Sequence, residues 1–420
     1  MDEAKQKFRL TSLERAWILY DVGNSAFVLL VATLIPIFFN ALAEGGGLSP
    51  VEYLAYWGYA ASAVTVITAV LSPILGTLAD TRNFKKPIFT FCVAVGVIGC
   101  CAMGMASTWL PFLLIFIFAK VGFSGSLVFY DSMLSDVTVP ERMDEVSSKG
   151  YAWGCIGSCV PFVVCLALVL GSSAVGLSQM TALSIALVIT AVWWLVVTLP
   201  LLKKYRQINY VEVEQHAIRQ SFVRIGQTLK HLPQDKQVFW FLLAFFCYID
   251  GVYTIIDMAT AYGTALGLDT TGLLLALLVT QIVAFPSALI FGRLSAQYPS
   301  SQLIPVCIAA YTGIAVFAFF LTSQWQFWVL VVMVGMFQGG VQALSRSHFA
   351  KIIPAEKSGE YFGLFDICGK GASFLGTMIV SVGSQLTGSV NVGEGSIAVL
   401  FVIGFVLFRV SCRTEHAKQV

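Results

Sequence analysis

Apolar residues gather in twelve long runs separated by short polar breaks. They lie near positions 15–43, 53–79, 86–107, 109–136, 148–171, 178–202, 237–265, 270–294, 302–322, 325–349, 360–384 and 396–412. A helix needs about 20 residues to cross the hydrocarbon of a bilayer, so the pattern predicts twelve transmembrane helices. One long polar segment, 203–236, carries Lys203, Lys204, Arg206, Glu212, Glu214, Arg219, Arg224, Lys230 and Lys236 and divides the runs into two sets of six. The expected organisation is a six-helix bundle over 1–202, a linker over 203–236 and a second bundle over 237–420. Within the linker, Val211–Leu232 is expected to form an interfacial helix. The first run, from Trp17 to about Leu42, is too long for a signal-peptide core and no small-residue cleavage site follows it, which predicts a retained helix.

The charges between the runs set an orientation. Lys5, Lys7, Arg9 and Arg15 precede the first run. Arg82, Lys85 and Lys86 follow the second, Arg142 and Lys149 the fourth, Arg293 the eighth, Arg346, Lys351 and Lys357 the tenth, and Arg409, Arg413 and Lys418 the last. The opposite connections, around 44–52, 106–109, 171–177, 265–270, 322–325 and 385–395, hold no lysine or arginine. Basic loops mark the cytoplasmic side, so both termini are expected to be cytoplasmic, with the chain in the cell (inner) membrane.

Composition agrees with lipid as the solvent. Of the 420 residues 57% are hydrophobic and 11% charged, where a soluble domain carries roughly 25% charged residues; mean hydropathy is +0.82. Nine of the ten cysteines lie inside apolar runs without metal-ligand spacing, as small buried hydrophobes do. His216, His231, His348 and His416 are read as residues in or beside polar loops, which argues against a histidine relay within the membrane. A nucleotide-binding Gly-x-x-x-x-Gly-Lys-Ser/Thr loop is missing. These features predict no enzyme activity, catalytic residue, metal, cofactor or nucleic-acid partner, and a monomer whose surroundings are lipid.

Two groups of motifs narrow the class. Gly76-Thr-Leu-Ala-Asp80-Thr-Arg82-Asn-Phe-Lys85-Lys86 resembles the signature loop between helices 2 and 3 of the major facilitator superfamily. That resemblance implies two pseudo-symmetric six-helix bundles around a midplane cavity, with Gly76, Asp80, Arg82, Lys85 and Lys86 as a conformational latch. The second-half counterpart around Gly292 has Ala296 in place of the carboxylate, so a latch there must use other residues. Trp17-Ile-Leu-Tyr20-Asp21-Val-Gly23-Asn24-Ser25, Tyr248-Ile-Asp250-Gly251-Val-Tyr-Thr254-Ile-Ile-Asp257 and Gln338-Gly-Gly-Val-Gln342-Ala-Leu-Ser345-Arg346-Ser347 resemble motifs of the "unknown major facilitator" family, related to autophagy-related vacuolar amino-acid effluxers. Val22 departs from the usual tryptophan. The resemblance implies export of small solutes, which are amino acids in the fungal members.

Seven ionisable residues are expected within the hydrocarbon itself: Asp21, Lys120, Asp131, Asp250, Asp257, Asp366 and Lys370. Each costs about 2.5–3.5 kcal/mol on insertion scales unless it is paired or faces water. Helical spacing places Asp21 with Asn24, Lys120 with Asp131, Asp250 with Thr254 and Asp257, and Gln338 with Gln342, Ser345 and Arg346 on shared stripes. Helices 1, 4, 7 and 10 carry these stripes, and helix 11 adds Asp366 and Lys370. The candidate substrate-binding or coupling set is therefore Asp21, Asn24, Lys120, Asp131, Asp250, Thr254, Asp257, Gln338, Gln342, Asp366 and Lys370. A bland reading of the same charges is a set of structural pairs, Asp366 with Lys370 and Lys120 with Asp21 or Asp250. The functional expectation is a secondary transporter, by direction an exporter, of a small polar or zwitterionic solute. It is coupled to a proton in preference to sodium. The alternative is a lysolipid or other amphiphile transporter of the same fold.

Overall fold

The structure, a computed structural model, describes the backbone of residues 9–212, 217–265, 270–387, 392 and 395–419. The side chains of 217–220, 257, 258, 260–262, 264, 265, 270, 271, 370–374, 381, 384 and 415–419 lie outside the description. The chain is helical from end to end. Helix α1 is Ser12–Ala32, α2 Leu34–Gly45, α3 Pro50–Ala79, α4 Lys85–Met103, α5 Trp109–Ser132, α6 the single turn Leu134–Val137, α7 Met143–Leu170 and α8 Gln179–Lys204. Beyond the linker helix α9 (Ala217–His231) come α10 Lys236–Ala265, α11 Thr270–Leu294, α12 Ser300–Phe319, α13 Gln324–Ile352, α14 Ser358–Thr387 and α15 Ala398–Gln419.

Local chemistry sets the helix starts. Thr11 and Glu14 form a reciprocal capping box on α1, and Ser49 with Glu52 does the same on α3, where Pro50 occupies the first turn. The first apolar run is one span, but its helix breaks at Thr33 (φ −133°, ψ −78°). Pro36 has no N–H to offer Ala32 and its ring crowds that carbonyl, which explains the break.

Among the described residues ten helical spans, including Ser12–Gly45 as one, are long and apolar enough to cross a membrane. The twelve expected from hydropathy exceed that number by α14 and α15. Both of these helices contain residues whose side chains lie outside the description, and the ten spans are those of the described residues.

Helix α1 packs on α7 and α8, α4 on α5 and α8, and α3 on α5. Among the later helices α10 packs on α14 and α15, α12 on α13 and α15, and α11 on α13. Contacts between the earlier and later helices run through α3 with α14, α5 with α14, and α7 with α11 and α13. Helix α9 lies on α3 with Ser221, Ile225 and Thr228 buried, while Phe222, Val223 and Leu229 are exposed. An exposed apolar side on a helix rich in Lys and Arg suits the membrane interface.

The α3–α14 crossing depends on missing side chains. A Cβ on Gly363 would lie 2.6 Å from Pro73 Cα and 2.7 Å from the Ser72 carbonyl oxygen, and one on Gly359 would lie 2.8 Å from Asp80 Oδ1. Gly359 and Gly363 are four residues apart, the small-residue spacing that lets two membrane helices touch along their backbones. Gly363→Val is expected to wedge these helices apart. Spin labels at the exposed positions Val139 and Glu356 should then report a longer distance than in wild type.

Candidate functional site

The end of the helices that carries both termini and the linker, here called the basic side, is held by three clusters. The first joins α3 to α14. Asp80, just past the end of α3, accepts hydrogen bonds from the backbone N–H groups of Gly359 and Glu360, both at 2.8 Å. These belong to the first turn of α14, whose unpaired N–H groups and positive dipole end favour a carboxylate. Lys85 is fully buried. Its Nζ donates to Ser358 Oγ at 2.8 Å and lies 3.6 Å from Asp80 and 3.8 Å from Asp136. Asp136 in turn accepts from Tyr205 Oη at 2.5 Å and from Asn209 N at 2.8 Å. The Val211 N–H donates to the Asp80 carbonyl oxygen at 2.7 Å. The start of the linker is thus stitched to the same cluster, and Arg224 of α9 adds an approach of 3.5 Å to the buried Glu360. Of the other expected latch residues, Gly76 sits under Gly359, Arg82 pairs with Glu212 at the surface at 3.2 Å, and Lys86 is half-buried.

Burial dominates the ionisation of Asp80 and pushes its carboxyl up to about 6, against the opposing pull of Lys85 and the two N–H groups. The closed arrangement therefore holds a proton on Asp80 more tightly than water-exposed Asp80 would. By linkage this stabilises closure at low pH, and the contribution is lost as pH rises from about 4 through about 6. Each pH unit within that window shifts the closed-to-open ratio by up to about tenfold. The expected result is that the Val139–Glu356 distance distribution gains its short component on acidification, and that Asp80→Asn removes this part of the response.

The second cluster occupies the position where Ala296 supplies no carboxylate. Gly292 of α11 rests on Ser148 of α7, and the polar tie comes from α7 itself. Asp144 accepts from Ser347 Oγ at 2.6 Å and pairs with Lys351 at 2.5 Å, both on α13. The carboxylate has in effect moved to the other partner helix.

The third cluster centres on Arg346 of α13. Its NH1 donates to Asp131 of α5 at 3.1 Å, its Nε to Ser147 Oγ of α7 at 2.9 Å, and its NH2 to the Ser147 carbonyl oxygen at 3.0 Å. The same NH2 lies 3.5 Å from Asp21 of α1. The guanidinium also stacks on Trp17 and Tyr130, 4.8 and 5.4 Å from the ring centres. One arginine thus fastens α13 to three of the earlier helices. All three clusters lie in the turns of α1, α3, α5, α7, α13 and α14 nearest the basic side.

The remaining candidates are dispersed. Asn24 is buried and donates to the Tyr20 carbonyl oxygen of its own helix. Lys120 lies over the Phe123 ring at 4.8 Å. Asp250 is fully buried and accepts from Gly376 N of α14 at 2.9 Å and from Thr254 Oγ1 at 3.4 Å, so it faces α14 together with Thr254. Asp366 accepts from Ser72 Oγ at 2.7 Å. Gln342 is half-buried, and Gln338 Oε1 is buried with no hydrogen-bond partner among the described residues. The side chains of Asp257 and Lys370 lie outside the described residues.

Asp21 and Asp131 therefore meet at an arginine, where the sequence reading considered Lys120 as the partner of Asp21. Arg346 was counted there as a loop charge. The usable signal was its place on the Gln338–Gln342–Ser345 stripe, since two acids on facing helices needed a base. Asp136, Asp144 and Ser147 gave no sequence signal beyond their polarity. His348 also departs from its expected loop setting. It is buried in α13 between Phe241 and Phe408 and hydrogen-bonded to Ser300. A groove of about 630 Å³ between α4 and α8, lined by Met105, Ile185, Val188 and Trp193 among others, opens on an apolar surface away from these charges. Among the described residues no His/Cys/Asp/Glu cluster could hold a metal ion.

Residues 12–142 and 135–419 match the model of the family described as "Vacuole effluxer Atg22 like". The chain is 41% identical over 404 residues to the uncharacterized MFS-type transporter YxiO of Bacillus subtilis (strain 168), covering 95% of this chain and 94% of that protein. It is 25% identical over 314 residues to Autophagy-related protein 22 of Coccidioides immitis (strain RS), covering 64% of this chain and about half (51%) of that protein. In fold it resembles the human organic anion transporter MFSD10, with a TM-score of 0.73 at 13% identity, covering 94% of this chain and 98% of that one.

Proposed function

The chain belongs to the Atg22-like vacuole effluxer family of major-facilitator transporters, a family of transport proteins and not of enzymes, and from that premise we propose that it exports a small polar or zwitterionic solute, such as an amino acid, in exchange for protons. Secondary transport in this fold proceeds by alternating access, in which a central site faces one side of the membrane and then the other. The proposed layout is twelve spans in two six-helix bundles, 1–202 and 237–420, with α14 and α15 completing the count and 203–236 joining the bundles. The basic side is read as cytoplasmic, so the clusters at Asp80, Asp144 and Arg346 close the inner gate.

The observation that carries the reading is the presence of both signs of charge within membrane-buried helices, Asp131 with Arg346 and, farther along α5, Lys120. Groups of both signs can receive the ammonium and carboxylate ends of a zwitterion. The inner gate is built from hydrogen bonds and ion pairs, which exchange for water when the helices part. The family description "effluxer" supports the direction.

The test is uptake and counterflow in proteoliposomes with a panel of the twenty proteinogenic amino acids and a panel of lysolipids, with and without a pH gradient. Amino-acid flux that responds to the gradient is expected. Flux confined to the lysolipids would replace the substrate class, and no flux on either panel by folded protein would overturn the reading.

A further inference from the structure

The Arg346 cluster holds two carboxylates and one guanidinium, so one negative charge is in excess. The hydrogen bonds show which acid carries it. Arg346 spends NH1 on Asp131 at 3.1 Å, and Nε and NH2 on Ser147 at 2.9 and 3.0 Å. Asp21 receives only the 3.5 Å approach of NH2, and its Oδ2 is buried with no hydrogen-bond partner among the described residues. The Tyr130 hydroxyl is orphaned in the same way. These two oxygens converge: a Cβ on Gly150 of α7 would stand 3.2 Å from each, so the missing side chain of that glycine leaves the gap they share. Two oxygens fall well short of the roughly six that hard cations gather, whereas a proton needs one acceptor. The Tyr130 hydroxyl can donate to an ionised Asp21 and accept from a protonated one, so the pair can be satisfied in either state, while a proton on Asp21 would cancel the excess charge.

We propose that Asp21 is the proton-carrying residue of this transporter, with Tyr130 as its hydrogen-bond partner, Gly150 as the residue that makes room, and Asp131 as the fixed counter-ion of Arg346. The inference rests on the proton-coupled reading given above and assigns its site. With the inner gate closed, the proton sits on Asp21 and the cluster is neutral. When the gate opens, Arg346 leaves with α13, water reaches Asp21, and the proton departs to the inner side. The other titratable and charged groups around Asp21 are Tyr20 on its own helix, Tyr151, Cys155 and Asp144 on α7, Lys351 on α13, and Asp366 of α14 beyond Asp131. Asp144 and Lys351 neutralise each other, Tyr20 is occupied by Ser126, and Asp366 is held by Ser72. Asp21 is left with the unassigned charge.

The test uses full-length protein in liposomes loaded with a pH-sensitive dye, with an equimolar mixture of the twenty amino acids as the probe. Wild type should acidify or alkalinise the lumen in step with solute movement. In Asp21→Asn the protons moved per solute should fall at least tenfold while slower solute counterflow remains measurable. Asp21→Glu should restore coupling with a displaced pH profile. A wild-type proton-to-solute ratio in Asp21→Asn would overturn the assignment, as would folded Asp21→Asn in which solute counterflow disappears, because Asp21 would then be holding the solute. If the asparagine variant does not fold, a wild-type pH profile in Asp21→Glu overturns it instead. Failure of the parent reading looks different: wild type itself would then move solute without protons, or none.

Discussion

Arg346→Met is expected to abolish transport, lowering initial rates by about 100-fold or more, and to cost the closed state on the order of 3–5 kcal/mol. The size follows from what is left behind. Removing one partner of a buried ion pair strands the other, and that penalty exceeds the worth of the pair itself. Here Asp131 loses its base, and Ser147 loses two donors. Thermal unfolding in detergent should show a lowered midpoint, and the Val139–Glu356 distance should lengthen. Lysine should rescue poorly, because a single ammonium cannot reproduce a fork that reaches Asp131, Ser147 and Asp21 while lying flat on Trp17 and Tyr130. The control is the double variant Asp131→Asn/Arg346→Met, which deletes a charge from each side. It should recover most of the lost stability and none of the transport. If Arg346→Met alone keeps the wild-type unfolding midpoint and distance distribution, the arginine does not hold the gate.

The second large effect is expected at Lys85. Lys85→Met keeps the aliphatic bulk and removes a charge buried between Asp80 and Asp136. Asp136 retains Tyr205 and Asn209, and Asp80 retains two backbone donors, so the loss should fall on closure more than on folding. Spin-label distances should shift toward the open population by about 100-fold in ratio, the equivalent of roughly 3 kcal/mol, with the unfolding midpoint lowered less than in Arg346→Met. An unchanged distance distribution would show that the charge is not needed to seal this side.

The fold was legible in the sequence because lipid leaves few solutions. Every apolar run long enough to span had to be a helix, and each run corresponds to a helix in the structure, α14 and α15 included. The break at Thr33 was also available, from Pro36. The contacts of the Gly76–Lys86 segment were half legible. The residue types from Gly76 to Lys86 marked a contact between helices, but the partners of Asp80 at the start of α14 are backbone N–H groups, and backbone donors leave no trace in side-chain patterns.

The site was less legible for a related reason. Stripe arguments find which face a residue is on and not what lies opposite. Asp250 shares a stripe with Thr254, yet it is aimed at the Gly376 N–H. Arg346 is grouped in the sequence with the basic residues that follow the tenth run, although it also shares the stripe of Gln338, Gln342 and Ser345. Its helix α13 runs to Ile352, three residues and so just under one turn farther than its apolar run. Ends of helices are where sequence reading is weakest, and the three clusters are made of ends.

Lys85 has a history as well as a position. Its hydrogen-bond partner Ser358 lies 273 residues later in the chain, so during synthesis the lysine waits exposed at the membrane surface until α14 arrives. A ribosome adding about 5–20 residues per second takes on the order of half a minute over that stretch. Throughout it Lys85 has Asp80 and then Asp136 as neighbours but no cover from α14, and its charge is able to help fix which way the first helices are threaded. Only afterwards does the same ammonium become an interior strut. Assembly of the finished transporter is therefore reported by a residue that changes solvent, and a lysine-reactive reagent applied to stalled nascent chains of increasing length should lose access to Lys85 once Ser358 has emerged.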